Sequence, residues 1–184
     1  VIFAHGTGSS RLSPRNQFVA EELRGAGIGT LLFDLLTEEE DQNYEMRFNI
    51  GLLTERLEAA TQWAKDSEEL RSLRLGYFGA STGAAAALQA AAHLGEEISA
   101  IVSRGGRPDL AMDVLPNVEA PTLLIVGGLD YQVIELNRQA YEGLHRARAR
   151  ELAIVPGATH LFEEPGTLKE VAHLARDWFT KHLT

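Results

Sequence analysis

With 184 residues, 45% of them hydrophobic, the chain has enough apolar material for one core, and we read 1–184 as a single domain. Its 17 basic and 26 acidic side chains leave a net charge of -9 and no basic cluster, which argues against nucleic acid and anionic membrane surfaces as partners. The lack of cysteine excludes a disulfide frame, a thiolate nucleophile and a cysteine-ligated metal; with no run of about 18 apolar residues and no signal pattern, cytoplasm is the default compartment. Val1 is not a methionine and starts inside an apolar run, so a longer chain is expected, with room before it for an export signal or an earlier domain.

Val1 to Ala4 predicts a short buried strand, followed at once by His5-Gly6-Thr7-Gly8-Ser9-Ser10, whose glycines let the backbone fold tightly and turn amide N–H groups toward a ligand oxygen. Ser13-Pro14 then reads as N-cap and first position of a helix to about Arg24, with Phe18, Val19 and Leu23 inward. Gly25-Ala26-Gly27-Ile28-Gly29 follows a helix and precedes a strand, the reverse of a dinucleotide fingerprint, and is read as a helix end and loop. Thr30 to Asp34 predicts a second strand, and residues 37 to 43 a solvated acidic loop rather than a metal site. Ile50, Leu53, Leu57, Ala60 and Ala64 recur at helical spacing over about 49–66.

Next comes the stretch around which the chain is organised, Leu75-Gly76-Tyr77-Phe78-Gly79-Ala80-Ser81-Thr82-Gly83-Ala84. An apolar run meets Gly-x-Ser-x-Gly and passes into an alanine-rich helix ending near Leu94-Gly95. A tight turn of small residues would share the motif; strand before and helix after make it a nucleophile elbow, with Ser81 projecting from the end of the sheet. Further strands are expected at Ile98 to Ser103, Thr122 to Val126 and Leu152 to Val155, and helices at about 134–147 and 168–182. Only about a dozen residues link Arg104-Gly105-Gly106-Arg107-Pro108 to the strand at Thr122, too few for a lid domain.

Six strands alternating with helices imply right-handed parallel crossovers, hence an α/β fold with a doubly wound, mostly parallel sheet. In such sheets ligands bind at the carboxyl ends of the strands, where Gly6-Thr7, Ser81, Arg104, Asp130 and His160 all fall.

A serine hydroxyl needs a base, and that base an orienting acid. Of six histidines, four fall within predicted helices; His5 is tied to its strand and braces its own loop, leaving His160 on a post-strand loop as the base. Asp130, just beyond Gly127-Gly128, is favoured as the acid, against a reading in which it caps the helix that follows; Asp109, Asp113, Glu163 and Glu164 are the rivals. Backbone N–H groups of Thr7 and Thr82 are expected to receive the charge of a tetrahedral intermediate, and a phosphate-binding glycine loop is rejected for want of a lysine at fixed spacing. Arg104 and Arg107 are candidates to hold a substrate carboxylate, with pairing of these arginines to Asp109 or its helix as the alternative.

Together His5-Gly6-Thr7-Gly8-Ser9-Ser10, Gly79-Ala80-Ser81-Thr82-Gly83, Gly127-Gly128-Leu129-Asp130 and Pro156-Gly157-Ala158-Thr159-His160-Leu161-Phe162 resemble the α/β-hydrolase superfamily, and more narrowly its dienelactone-hydrolase-like branch. The resemblance implies a catalytic triad of Ser81, Asp130 and His160, Thr7 and Thr82 as oxyanion donors, and hydrolysis of a small-molecule carboxylic ester with no cofactor and no metal. Thioester hydrolysis, acyl transfer or lactone hydrolysis on the same triad, and an inactive binding module, are the alternatives; nothing fixes the oligomeric state. Dienelactone hydrolases proper use a cysteine where this chain has Ser81, which favours a carboxylesterase. Some relatives in the branch resemble fusions to a phosphoribosyltransferase-like domain, for which these residues offer no support. The antiparallel pair that usually opens the superfamily's sheet is expected either before Val1 or not at all, as in a reduced hydrolase.

Overall fold

The computed structural model describes residues 1–183. Among them are strands β1 (Ile2–Ala4), β2 (Leu31–Leu32), β3 (Leu75–Ala80), β4 (Ile98–Arg104), β5 (Thr122–Gly127) and β6 (Arg150–Val155). The helices are α1 (Pro14–Gly25), α2 (Glu38–Asp41), α3 (Tyr44–Arg47), α4 (Ile50–Asp66), α5 (Thr82–Leu94), α6 (Tyr131–Gly143) and α7 (Thr167–His182). The strands form one sheet in the order β2-β1-β3-β4-β5-β6 with every pairing parallel. This is the α/β-hydrolase fold.

Successive strand residues point to opposite faces, and here both faces are covered, which is why the strands read as continuous apolar runs. Ile2, Tyr77, Ile101 and Leu124 face the layer that includes Leu53 and Leu57 of α4, the alanines of α5 and Ala140 of α6. Their neighbours Phe3, Phe78, Val102 and Leu123 face Val19 and Leu23 of α1 and Val171, Ala175 and Phe179 of α7. The alanine run of α5 is buried from Ala84 to Ala87 because side chains of one carbon let the helix lie close to the sheet.

This layering locates the site. The chain leaves β1 toward α1 on one face and β3 toward α5 on the other, although the two strands are neighbours. Their outgoing loops therefore diverge and leave a crevice at the carboxyl end, the switch point where ligands bind in open parallel sheets. Between β4 and β5 the chain makes 3-10 turns over Pro108–Asn117 that pack on α5 and α6, with Leu115 buried.

The structure corrects several boundaries. The second strand keeps only Leu31–Leu32 of the expected Thr30 to Asp34, because its sole pairing, to Ile2 and Phe3, ends with those residues. The acidic loop expected over 37 to 43 instead holds α2, and α3 follows directly after it. Thr37 accepts from the Glu40 amide while the Glu40 carboxylate accepts from the Thr37 amide, a reciprocal capping box. Helix α6 begins at Tyr131, three residues earlier than expected, and ends at Gly143.

Candidate active site

Ser81 has φ 50° and ψ -119°, a positive φ that costs a non-glycine residue about 1–3 kcal/mol and persists only where packing over-determines it. The packing is close: a Cβ on Gly83 would stand 2.1 Å from the Ala4 carbonyl oxygen, and one on Gly79 2.5 Å from Ala84 Cα. The serine amide also donates to Arg104 O at 3.3 Å, and its carbonyl accepts from the Arg107 amide at 3.1 Å. Ser81 occupies the N-cap position of α5 without making a side-chain cap bond, so its hydroxyl is not spent on the helix.

Asp130 is the N-cap residue of α6, and it too makes no cap bond. Its Oδ2 instead lies 2.6 Å from His160 Nδ1. The carboxylate side chain is 16% exposed and the imidazole 39%, so the acid sits behind the ring and the ring faces outward. Two backbone bonds fasten the carrier loops together, Gly128 N–H to Val155 O at 2.8 Å and Leu129 N–H to Ala158 O at 2.9 Å. Gly127 allows the approach, since a Cβ there would stand 2.5 Å from Ala158 O. Thr159 donates its amide to Glu164 Oε2 at 3.1 Å and its hydroxyl to Oε1 at 2.5 Å, clamping the turn that carries His160.

Serine and histidine share one rim of the sheet through the end of β4: Arg104 accepts from the Ser81 amide, and the next residue, Gly105, lies against the imidazole, where a Cβ would stand 3.3 Å from His160 Cε1. No hydrogen bond joins Ser81 Oγ to His160 Nε2 among the described residues.

Opposite Ser81 lies the glycine loop after β1. A Cβ on Gly6 would stand 3.0 Å from Ser81 Cβ. Thr7 Oγ1 and Thr82 Oγ1 are 2.9 Å apart, and neither residue's amide has a protein acceptor among the described residues. His5 is buried and takes the bracing role expected of it. Its Nε2 accepts from the Leu35 amide at 3.0 Å, which puts the ring proton on Nδ1, 3.0 Å from Gly6 O. The histidine thereby ties the glycine loop to the segment after β2.

The two arginines separate. Arg107 gives Nε and Nη2 to the two oxygens of Asp109, each at 2.8 Å, the alternative weighed from the sequence, and this bond holds its guanidinium above the usual arginine range. Arg104 is 8% exposed; its Nε and Nη1 have no partner among the described residues, and burial, followed by the like charge of Arg15, brings it down to about 10. The sequence reading missed Arg47. Its guanidinium, held by the Asp41 carbonyl and carboxylate, lines the same small cleft as Gly6, Thr7, Gly8 and Thr82. Arg47 lies on the last turn of α3, a helix for which the sequence reading made no prediction. A roomier apolar cavity of about 400 Å³, lined by Ile2, Ile28, Leu31, Leu75 and Phe179, lies at the other end of the strands, away from these groups. Among the described residues no group of three or more His, Cys, Asp or Glu side chains is arranged to hold a metal, and no helix is long and apolar enough to cross a membrane.

A family model described as the dienelactone hydrolase family matches residues 22–183. The chain is 59% identical over 183 residues to a Mycobacterium tuberculosis protein that bears the name of a phosphoribosyl transferase, found in strains CDC 1551 and H37Rv, and it spans 41% of the length of that relative. Among solved structures it resembles a dienelactone hydrolase from Anabaena variabilis, with 56% identity and a TM-score of 0.96 over 100% of this chain and 86% of that one. Est1E from Butyrivibrio proteoclasticus, 16% identical with a TM-score of 0.83 over 98% of this chain and 86% of its own, shares the fold.

Proposed function

The chain belongs to the dienelactone hydrolase family, and on that premise we propose that it is a serine hydrolase that cleaves small carboxylic esters through an acyl-enzyme on Ser81. His160 Nε2 takes the serine proton as Oγ attacks the acyl carbon, while Asp130 accepts from Nδ1–H and holds the useful tautomer. The Thr7 and Thr82 amides receive the oxyanion. When the tetrahedral adduct collapses, the imidazolium passes its proton to the departing alkoxide. Water then attacks the acyl-enzyme with His160 again as base, releasing the acid and restoring the Ser81 hydroxyl.

The observation that carries this assignment is the bond between His160 Nδ1 and Asp130 Oδ2 at 2.6 Å, on the rim that presents a serine of positive φ. Among the described residues the link from β4 to β5 is only the turns of Pro108–Asn117, which suits short acyl groups and small aryl esters. Replacing Ser81 by alanine should abolish the burst with p-nitrophenyl acetate and labelling by a fluorophosphonate; full turnover in Ser81→Ala would reject the serine as nucleophile.

Lactone hydrolysis is the second reading, favoured by the 56% identity to a protein called a dienelactone hydrolase. A substrate carboxylate at Arg107 would then compete with Asp109 for the same two donors. The transferase name of the mycobacterial relative belongs to a protein of which this chain matches 41%, and a Ser-His-Asp rim gives no footing to phosphoribosyl transfer.

A further inference from the structure

We propose that the hydroxyls of Thr7 and Thr82 form a clasp that holds the two oxyanion donors at their working separation, which makes both threonines positioning residues through their side chains. This rests on the serine-hydrolase assignment above. The two amides come from chain segments 75 residues apart. The β1–β3 ladder ends at the pair Ala4↔Gly79, before either donor is reached, and beyond it the chain turns to opposite faces of the sheet. The ladder therefore cannot fix the distance between them.

On its outer side the glycine loop is held by His5, which bonds the segment after β2. On its inner side Gly6 packs against Ser81 and Gly83 against the Ala4 and His5 carbonyls, and the polar tie between the two donor residues is the hydroxyl pair at 2.9 Å. Thr82 is 2% exposed, and Thr7 is the hydrogen-bond partner of its hydroxyl among the described residues. A hydrogen bond between the very residues whose amides face the oxyanion fixes the hole before substrate arrives, so no reorganisation is needed as charge develops. A simple space-filling role for Thr82 would leave the chemistry untouched.

The experiment uses the chain with a short p-nitrophenyl ester, reading kcat and KM separately, with melting temperature and fluorophosphonate labelling of Ser81 alongside. Thr7→Val and Thr82→Val keep shape and amide but remove the bond; each should lower kcat roughly 10- to 100-fold with KM held within about twofold. The double variant Thr7→Val/Thr82→Val should be no slower than the slower single, because the second change removes a bond already lost. Thr7→Ser, which retains a hydroxyl, should recover most of the kcat lost in Thr7→Val, and this comparison stands if Thr82→Val is too unstable to assay. Single variants with wild-type kcat, or a double variant whose loss is the product of the two, would overturn the clasp. Wild-type protein that neither turns over nor labels at Ser81 would overturn the hydrolase assignment and the clasp with it, a result separate from the variant comparison.

Discussion

Asp130 stands at the start of α6 and caps nothing: its carboxylate is turned to the imidazole of His160, 2.6 Å away. Aspartate before a helix is ordinarily a cap, worth about 1 kcal/mol. Here that stabilisation is forgone, and the carboxylate is kept for a ring that 30 residues of chain separate from it.

Asparagine caps a helix as well as aspartate does, which makes Asp130→Asn a clean discriminator. The fold and melting temperature should be nearly unchanged, while kcat falls on the order of 10⁴-fold because the amide stabilises the wrong tautomer and cannot balance an imidazolium. Circular dichroism with steady-state kinetics decides it; wild-type activity would mean that His160 does not need the carboxylate.

The elbow should tolerate no side chain at its inner glycine. A methyl on Gly83 meets two backbone oxygens, Ala4 O at 2.1 Å and His5 O at 2.4 Å, and neither can swing aside as a side chain would. Gly83→Ala should cost about 3 kcal/mol or more by urea unfolding. Gly25→Ala, where nothing lies within 4 Å, should change stability by less than about 1 kcal/mol.

Glu164 ties pH to the turn carrying His160. The Thr159 hydroxyl, then the Glu164 and Thr159 amides, hold its carboxyl below the usual carboxylate range. A carboxyl lowered by folding contributes stability above its unfolded value and loses it as pH falls through the folded one. Melting temperatures of wild type and Glu164→Gln should differ most at about pH 6 and converge toward about pH 3. A constant gap would mean that the charge is not what clamps the turn.

Arg107 can offer its Nε–Nη2 edge to a substrate carboxylate only by giving up Asp109. Removing the competitor with Asp109→Ala should lower KM for an ester bearing a free carboxylate and leave KM for its neutral counterpart unchanged. Both side chains are partly exposed, at 36% and 25%, so the lost pair should cost no more than about 1 kcal/mol of stability. Equal KM values for the two esters would leave Arg107 as a local brace of the turn after β4.

Much of this molecule is written locally. Continuous apolar runs flanked by glycine and N-cap residues determine the strands and helices, because backbone geometry and burial on both faces answer to neighbours a few residues away. Gly79, Ser81 and Gly83 specify the elbow for the same reason, and even the missed helix α2 carried its capping box, Thr37 and Glu40, in plain view. Tertiary structure alone decided the pairings between polar side chains distant along the chain. Asp130 turns to His160 rather than to its helix, Arg47 comes to line the cleft beside Thr7, and Thr7 meets Thr82. A hydrogen bond acts only within about 3 Å, and residues 30 or 75 positions apart reach that range through the packing of the whole sheet.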